Sequence, residues 1–436
     1  MSRSDAARPG FGETGCCLLL AGVLFYSSYG LANWLAAVRA PVAEIAFAWE
    51  RQIPFWAWTI VPYWSLNLFY ALGFFLCESR VALRRYMAQL LTAQALAVAC
   101  FILWPLQFGW AKPASDGLSG WLFASLAAFD QPYNQAPSLH IMLTLIVGRF
   151  YWLRLPRRWR PLWLGWLMLI ALSVLTTYQH HFIDIPTGVL AGLLVCWLFP
   201  QQGRMPLRRS IRPQKAHGRW LAFYTLAAAG FAALACFGGA ALWWLWPAAA
   251  CLLLAAAYAG LGAQALQKQT DGRLSLATVG WLLPYLAVAR LNMAYWLRGV
   301  PQSAAVTETL HIGSLLAARR FEAVVDVCAE YSLFRRPRYY AAVPMLDMVP
   351  PESGDLLRAA QALADLQRQG RPVLVCCALG YGRSAAVAVL WLWASGACSS
   401  LDEACATVRR ARPKMVLPEA VCQRIQTAKQ QWERGA

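Results

Sequence analysis

Residues 373–390, VLVCCALGYGRSAAVAVL, decide how the C-terminal part of this chain folds. An apolar run, 373–375, reads as a strand. It enters a tight loop, Cys377-Ala378-Leu379-Gly380-Tyr381-Gly382-Arg383, after which Ser384 opens a helix-like run, 385–394. A thiol at the start, a guanidinium at the end and two glycines between them suit a phosphate. Successive backbone N–H groups of Ala378 to Gly382 can turn inward as an anion nest, and the following helix adds its positive end. The same field favours the thiolate of Cys377, the form that attacks. Arg383 can grip two phosphate oxygens in a bidentate fork. Ser384 can hydrogen-bond the sulfur and make it a better leaving group.

C-x5-R-S between a strand and a helix resembles the cysteine-dependent phosphatases, specifically the dual-specificity type. The resemblance implies a phosphocysteine intermediate on Cys377, held by Arg383. One departure is visible: the family usually has His just before the nucleophile, and Cys376 stands there, so two thiols lie side by side. The chemistry needs a general acid to protonate the leaving alcohol. Asp347 follows the apolar strand 342–346 about thirty residues before Cys377, the usual place in dual-specificity phosphatases. Asp355 is the rival, but after Ser353-Gly354 it reads as a helix N-cap. Around these residues the pattern is α/β. Strands are expected at 311–313, at 323–328 (apolar apart from Asp326) and at 342–346, with helices at 355–369, 400–412 and 418–433. The basic, aromatic stretch 334–340, FRRPRYY, reads either as a lipid-touching or headgroup-steering loop or as an ordinary solvated one.

Composition bounds the remainder. The chain has 436 residues, 59% hydrophobic and 14% charged, with 22 Trp, which is the composition of a membrane protein. A net charge of +18 then points to basic cytoplasmic loops and not to nucleic-acid binding. The 13 cysteines lack paired framework spacing, and Cys77, Cys100, Cys196 and Cys236 sit in apolar runs as small hydrophobes. No C-x-x-C pair or Cys/His cluster suggests a metal, and no cofactor is expected.

Six apolar runs are candidate membrane spans: 15–38, 54–77, 88–108, 137–153, 161–178 and 182–199. The first is long enough to cross, and is read as a span and not as a cleaved signal peptide. Gaps holding Arg80, Arg84 and Arg85, then Arg154, Arg157, Arg158 and Arg160, then Arg204, Arg208, Arg209, Arg212, Lys215 and Arg219, alternate with gaps poor in Lys and Arg at 39–53, 109–136 and 179–181. The positive-inside rule places the N-terminus inside and the gaps 109–136 and 179–181 outside.

Two motifs fall on that outer side, and they hold three of the five histidines. Pro137-Ser138-Leu139-His140 opens the fourth span; His180-His181-Phe182-Ile183-Asp184 joins the fifth to the sixth. Ionisable groups at a membrane face are functional candidates. The H-x3-D spacing lets Asp184 accept from one nitrogen of His180 and leaves the other free as a nucleophile, while His140 can protonate the leaving oxygen. This resembles the type-2 phosphatidic acid phosphatase superfamily, whose patterns are PSGH and SR-x5-H-x3-D in a six-helix core. Here Leu139 replaces Gly, Ser173-Val174 stands where Ser-Arg is expected, and no K-x6-R-P occurs; Lys112 is the only cation in the preceding outer gap. A weaker cationic clamp suits a singly charged phosphodiester better than a nearly doubly charged monoester. The inositol-phosphorylceramide and sphingomyelin synthases show a similar weakened pattern and transfer a head group between lipids, so transfer stands beside hydrolysis for this site. His181 reads as a bystander. Residues 114–129, with Trp121, Phe123 and Phe129, read as an interfacial helix roofing the site or as a plain loop helix.

The expected organisation is therefore a multi-pass α-helical membrane domain followed by an α/β cysteine-phosphatase domain. Residues 1–203 form the six-span core, 204–219 a basic cytoplasmic linker, 220–298 two further spans (220–237 and 240–261) with an interfacial segment, and 299–436 the phosphatase. Segment 274–297 carries Pro284, Arg290 and Asn292, so it is expected to lie in the interface with Arg290 and Arg298 snorkelling. That keeps Cys376 and Cys377 in the reducing cytosol. The architecture resembles bacterial fusions of these two families. The resemblance implies a plasma-membrane enzyme of phospholipid metabolism with an inner site at Cys377 and an outer site at His180, acting on phosphorylated lipids and not on nucleic acid. The alternative is a membrane-anchored signalling phosphatase acting on phosphoproteins, or a phospholipid-binding module without turnover.

Overall fold

The computed structural model describes residues 7–435 except 40, 204, 208, 209 and 212–214. Part of the expected basic linker, including Arg204, Arg208, Arg209 and Arg212, lies outside the described residues. The chain divides into two units, Met1–Gln202 and Gly203–Ala436.

In the first unit every expected apolar run is helical. α1 (Phe11–Val38), α3 (Arg80–Leu103) and α6 (Arg160–Thr176, entered by a short turn at Arg157–Trp159) are long and apolar enough to cross a membrane. α2 (Ile60–Phe75), α5 (Leu139–Arg154) and α7 (Asp184–Leu198) have 16, 16 and 15 residues. At a rise of about 1.5 Å per residue they reach about 24 Å, short of a hydrocarbon core of about 30 Å. By length alone, then, the six expected spans resolve into three long helices and three short ones. α3 and α5 start where a hydroxyl satisfies an orphan N–H: Ser79 Oγ accepts from Ala82 N at 3.2 Å, and Ser138 Oγ from Ile141 N at 3.3 Å. Their shared core is aromatic, with Phe74, Tyr86, Phe101 and Phe150 buried together. Outward-facing Leu19, Leu20, Val23 and Trp34 leave α1 apolar on its free side. α4 (Gly117–Ala127) is shorter than the expected 114–129; it packs Leu126 onto Ile60, Tyr63 and Ile141, and Leu122 O accepts from Trp64 Nε1 at 3.1 Å.

In the second unit, α8 (Lys215–Ala235) and α9 (Leu245–Ala256) pack side by side. The helical run Gly239–Leu266, which contains α9, is a fourth stretch long and apolar enough to cross a membrane. Segment 274–297 is two helices, α10 (Leu276–Trp281) and α11 (Leu283–Trp296), broken at Leu282. Pro284 sits in the first turn of α11, where its missing N–H is no loss.

The phosphatase-like part is a five-stranded sheet in the order β1-β2-β5-β3-β4. β1 (Ser303–Ala305) runs antiparallel to β2 (Leu310–Ser314); β2, β5 (Val373–Cys377), β3 (Ala323–Cys328) and β4 (Tyr339–Met345) are parallel. β1 was not expected, β4 begins earlier than expected, and β5 runs on through both cysteines. Helices α12 (Ser353–Gln367), α13 (Arg383–Ala394), α14 (Leu401–Ala411) and α15 (Glu419–Gly435) follow in sequence. The period of two along β5 separates two cores. Val373, Val375 and Cys377 join the cluster built with α12 and α13, whereas Leu374 and Cys376 join a second cluster with Cys328, Leu333 and the Ala289 and Met293 of α11. One expectation fails locally: Glu352 holds the N-cap position of α12, and Asp355 lies in its first turn, paired with Arg358.

The approach of α7 to α5 depends on missing side chains. A Cβ at Gly188 would lie 2.7 Å from Ser138 O, a backbone atom that cannot step aside. Gly188→Val is therefore expected to cost about 1–3 kcal/mol by overpacking, read as a lower melting temperature of the detergent-solubilised protein. Gly165→Val, at a position with nothing within 4 Å, is the control that should not show it.

Candidate functional site

Parallel strands end on one edge of a sheet, and the residues just past β3, β4 and β5 meet there around the loop 377–383. Cys377 is buried at the end of β5. Its sulfur lies 3.2 Å from Gly380 N and 3.4 Å from Ser384 Oγ. Gly380 is left-handed at φ +81°, and a Cβ there would sit 2.5 Å from the carbonyl carbon of Gly313. The turn needs glycine for both reasons.

Arg383, the first residue of α13, is only 5% exposed, and its guanidinium is almost fully engaged. Nη1 donates to Glu330 Oε2 at 2.7 Å and to Met345 O at 2.9 Å; Nη2 donates to Glu330 Oε1 at 2.5 Å and lies 3.1 Å from Asp347 Oδ1. Arg383 Nε is left without a partner among the described residues, so one donor remains for an incoming oxygen. Glu330 is buried just past β3. Burial opposes its ionisation, but the charge and hydrogen bonds of Arg383 outweigh it and hold its carboxyl below the ordinary value. Asp347, two residues past β4, has a side chain 46% exposed. Its desolvated surroundings push its carboxyl above the ordinary value, Arg383 opposes this, and Glu330 pushes the same way.

The sequence did not reveal Glu330 or Arg412. Arg412 is buried beneath the loop: it donates to Leu379 O at 2.9 Å and to Pro301 O at 2.5 Å, and its guanidinium lies 4.9 Å from the centre of the Tyr381 ring. Cys376, which replaces the family histidine, points to the opposite face of the sheet from Cys377. Burial, with Asp326 and Cys328 nearby, pushes its thiol well above the ordinary value. It is a packed thiol and not a partner of Cys377, so adjacency in sequence does not make the two a redox pair. The loop 334–340 projects Phe334, which is 97% exposed, beside exposed Arg335, Arg336 and Arg338.

In the first unit, His180 and Asp184 meet as the spacing suggested: Nδ1 lies 3.1 Å from Asp184 Oδ2, and both residues are buried. The same carboxylate oxygen accepts from His181 N at 3.0 Å. Ser138 N donates to Asp184 O at 3.1 Å, which ties the start of α5 to the start of α7. His140 stacks on Tyr63 with ring centres 3.9 Å apart, and its Nε2 is unpartnered among the described residues. His181 turns away from this pair. Its Nδ1 lies 3.1 Å from Glu50 Oε2, which also accepts from Phe182 N at 2.9 Å, and its ring stacks on Phe108. It acts as a post that fixes the loop. Val174, at the position of the family's arginine, is buried among apolar side chains, so no cation comes from there.

Residues 306–431 match the model of the dual specificity phosphatase catalytic domain, and residues 112–208 match that of the PAP2 superfamily. The chain joins a PAP2-like helical region to a dual-specificity phosphatase domain, and α1–α3 precede the matched PAP2 stretch. These are phosphatase domains, and they place the chain among enzymes that hydrolyse phosphoric monoesters. Similar solved structures include Tk-PTP in the active form (26% identity, 30% of this chain and 97% of that one, TM-score 0.27). Human DUSP28 is another (25%, 30% and 96%, TM-score 0.28), as is PTPMT1 in complex with PI(5)P (16%, 31% and 100%, TM-score 0.27). No curated protein matches the chain.

An acid whose pKa is raised is protonated, and so able to donate, up to a higher pH, and its contribution is lost as pH rises through that value. Asp347→Asn is expected to remove the alkaline limb of the kcat profile. It should also slow turnover about 100-fold on esters with poor leaving groups, with a much smaller loss on an aryl phosphate whose leaving group needs no proton.

Proposed function

We propose that this chain is a membrane-bound phosphatase of phospholipid metabolism, and that its phosphatase domain removes phosphate from a phosphorylated lipid head group. The observation that carries the reading is the convergence of the Cys377 sulfur, Ser384, Arg383 and Asp347 on one sheet edge. The Cys377 thiolate attacks phosphorus as the bond from phosphorus to the head-group oxygen breaks, and Asp347 gives its proton to that oxygen. Arg383 and the N–H groups of residues 378–382 hold the phosphoryl oxygens. Water then attacks the phosphocysteine, its proton passes to Asp347, and inorganic phosphate leaves as the thiolate returns, with Ser384 stabilising it. No metal or cofactor enters either step.

What supports a lipid substrate is the setting. The same unit contains the apolar run Gly239–Leu266 and the outward Leu283, Val288, Leu291 and Trp296 of α11, and the loop 334–340 offers three arginines around an exposed Phe334. A polyanionic head group held at a bilayer surface fits such a loop. The second site, in the PAP2-like region, hydrolyses or transfers a lipid phosphate through His180: Asp184 orients the ring, the ring nitrogen takes the phosphoryl group, and His140 protonates the leaving oxygen. In this topology the N-terminus and phosphatase domain face the cytoplasm of a cell whose plasma membrane holds the chain, and His140 and His180 face outward. Residues 204–219 serve as the linker between the two activities.

The full chain in mixed detergent–lipid micelles tests this. Phosphate release from lipid monophosphates should vanish in Cys377→Ser and persist in His180→Ala. Turnover at the outer site should show the reverse pattern. Release from phosphotyrosyl peptides but not from lipids would replace the lipid reading with a membrane-anchored protein phosphatase. A reporter fused after Ala436 that signals outside would overturn the topology.

A further inference from the structure

The turn that carries Glu330 is held from outside the phosphatase domain. Lys268 lies just past the apolar run Gly239–Leu266, far upstream of the first strand of the sheet. Its side chain and that of Asp326 are both fully buried. Its ammonium has three donors, and three acceptors surround it: Asp326 Oδ2 at 2.7 Å, Cys328 O at 2.9 Å and Tyr331 O at 2.6 Å. Cys328 and Tyr331 bracket the short turn in which Glu330 sits. Glu330 in turn forms the two-pronged pair with Arg383. Asp326, on β3, is itself fixed by Tyr340 Oη at 2.8 Å and Cys328 N at 2.9 Å.

The backbone around Lys268 is laid along the same turn. Lys268 bridges Leu274, Leu333 N donates to Gly272 O at 2.8 Å, and Leu274 N donates to Ser332 Oγ at 2.9 Å. Gly272, at φ +84°, has no room for a Cβ, which would meet Leu333 Cδ1 at 2.5 Å and Tyr340 Oη at 2.7 Å. A second contact from the helical segment reaches the acid loop: Tyr258 Oη donates to Asp347 O at 3.1 Å.

We propose that Lys268 is a positioning residue of the phosphatase site, pinning both ends of the turn that carries Glu330 so that Glu330 holds Arg383 in its phosphate-gripping pose. The hairpin 267–275 is thereby part of the catalytic unit and not a passive tether. Packing alone does not account for this arrangement. A buried ion pair adds little stability over an apolar pair of the same volume, so two charges kept at this spot point to geometry. The inference rests on the Cys377 mechanism proposed above.

The test uses the full chain in detergent–lipid micelles. Lys268→Met alone strands the Asp326 charge, so the informative variant is Lys268→Met with Asp326→Asn, which removes both charges and keeps a partner for Tyr340 and Cys328. Gly272→Ala is the second variant; it keeps both charges and prises the hairpin from Leu333 and Tyr340. Each should lower kcat by about 10- to 100-fold and weaken competitive inhibition by orthovanadate by about 10-fold, counted per folded active site by the burst of phenol released from an aryl phosphate. The loss in vanadate affinity is what a role in stability alone would not produce. Wild-type kcat and vanadate inhibition in either folded variant overturns the inference and leaves Cys377 untouched. Turnover that survives Cys377→Ser in a chain whose second site is silenced by His180→Ala overturns the mechanism itself, and the inference with it.

Discussion

A buried guanidinium sets the terms for the phosphatase domain. Moving a charge out of water is costly unless it is paired and its donors are met. Arg383 meets that demand by drawing on two segments distant from its own loop: Glu330 after β3, and Met345 at the end of β4 with Asp347 just past it. Only a sheet whose strands run parallel delivers those segments to one edge. The turn at Gly380 and the packing of α13 against the sheet are consequences, since they place the thiol and the guanidinium at opposite ends of one loop. The PAP2-like site solves a smaller version of the same problem. Asp184 Oδ2 is shared between His180 and the His181 N–H, and Glu50 is shared between His181 and two backbone N–H groups.

What was legible in the sequence was whatever lies close together along it. The loop 377–383 with its strand and helix, the His180–Asp184 pair four residues apart, and the apolar runs all follow from local spacing and appear as expected. What was not legible joins distant residues. Glu50 meets His181 across 131 positions, Glu330 meets Arg383 across 53, and Arg412 reaches Leu379 across 33. Such pairs leave no periodic trace. A lone glutamate after an apolar strand looks like a turn residue until its partner is seen.

One signal was present and carried more than its reading. Asp326 interrupts an otherwise apolar strand, and a charge in a fully buried strand must have a partner. The partner, Lys268, comes from a stretch with no motif of its own. Cys376 is the converse case. Adjacency in sequence suggested a shared fate with Cys377, but alternation along β5 sends the two sulfurs to opposite faces.

In the proposed mechanism, charge balance requires Asp347 to carry its proton when substrate arrives. One guanidinium faces two carboxylates, Glu330 and Asp347. A phosphomonoester brings nearly two more negative charges. Glu330 is committed to Arg383 by two hydrogen bonds and stays ionised, so relief can come only from Asp347, whose carboxyl is already raised and still meets solvent. Protonating Asp347 frees Arg383 Nη2 from a competing oxygen and adds it to the unpartnered Nε. The two donors then form the fork that a phosphate needs. In the mechanism proposed above, the protonation that makes Asp347 an acid is the same event that opens the arginine, which couples binding to leaving-group protonation through one carboxyl group.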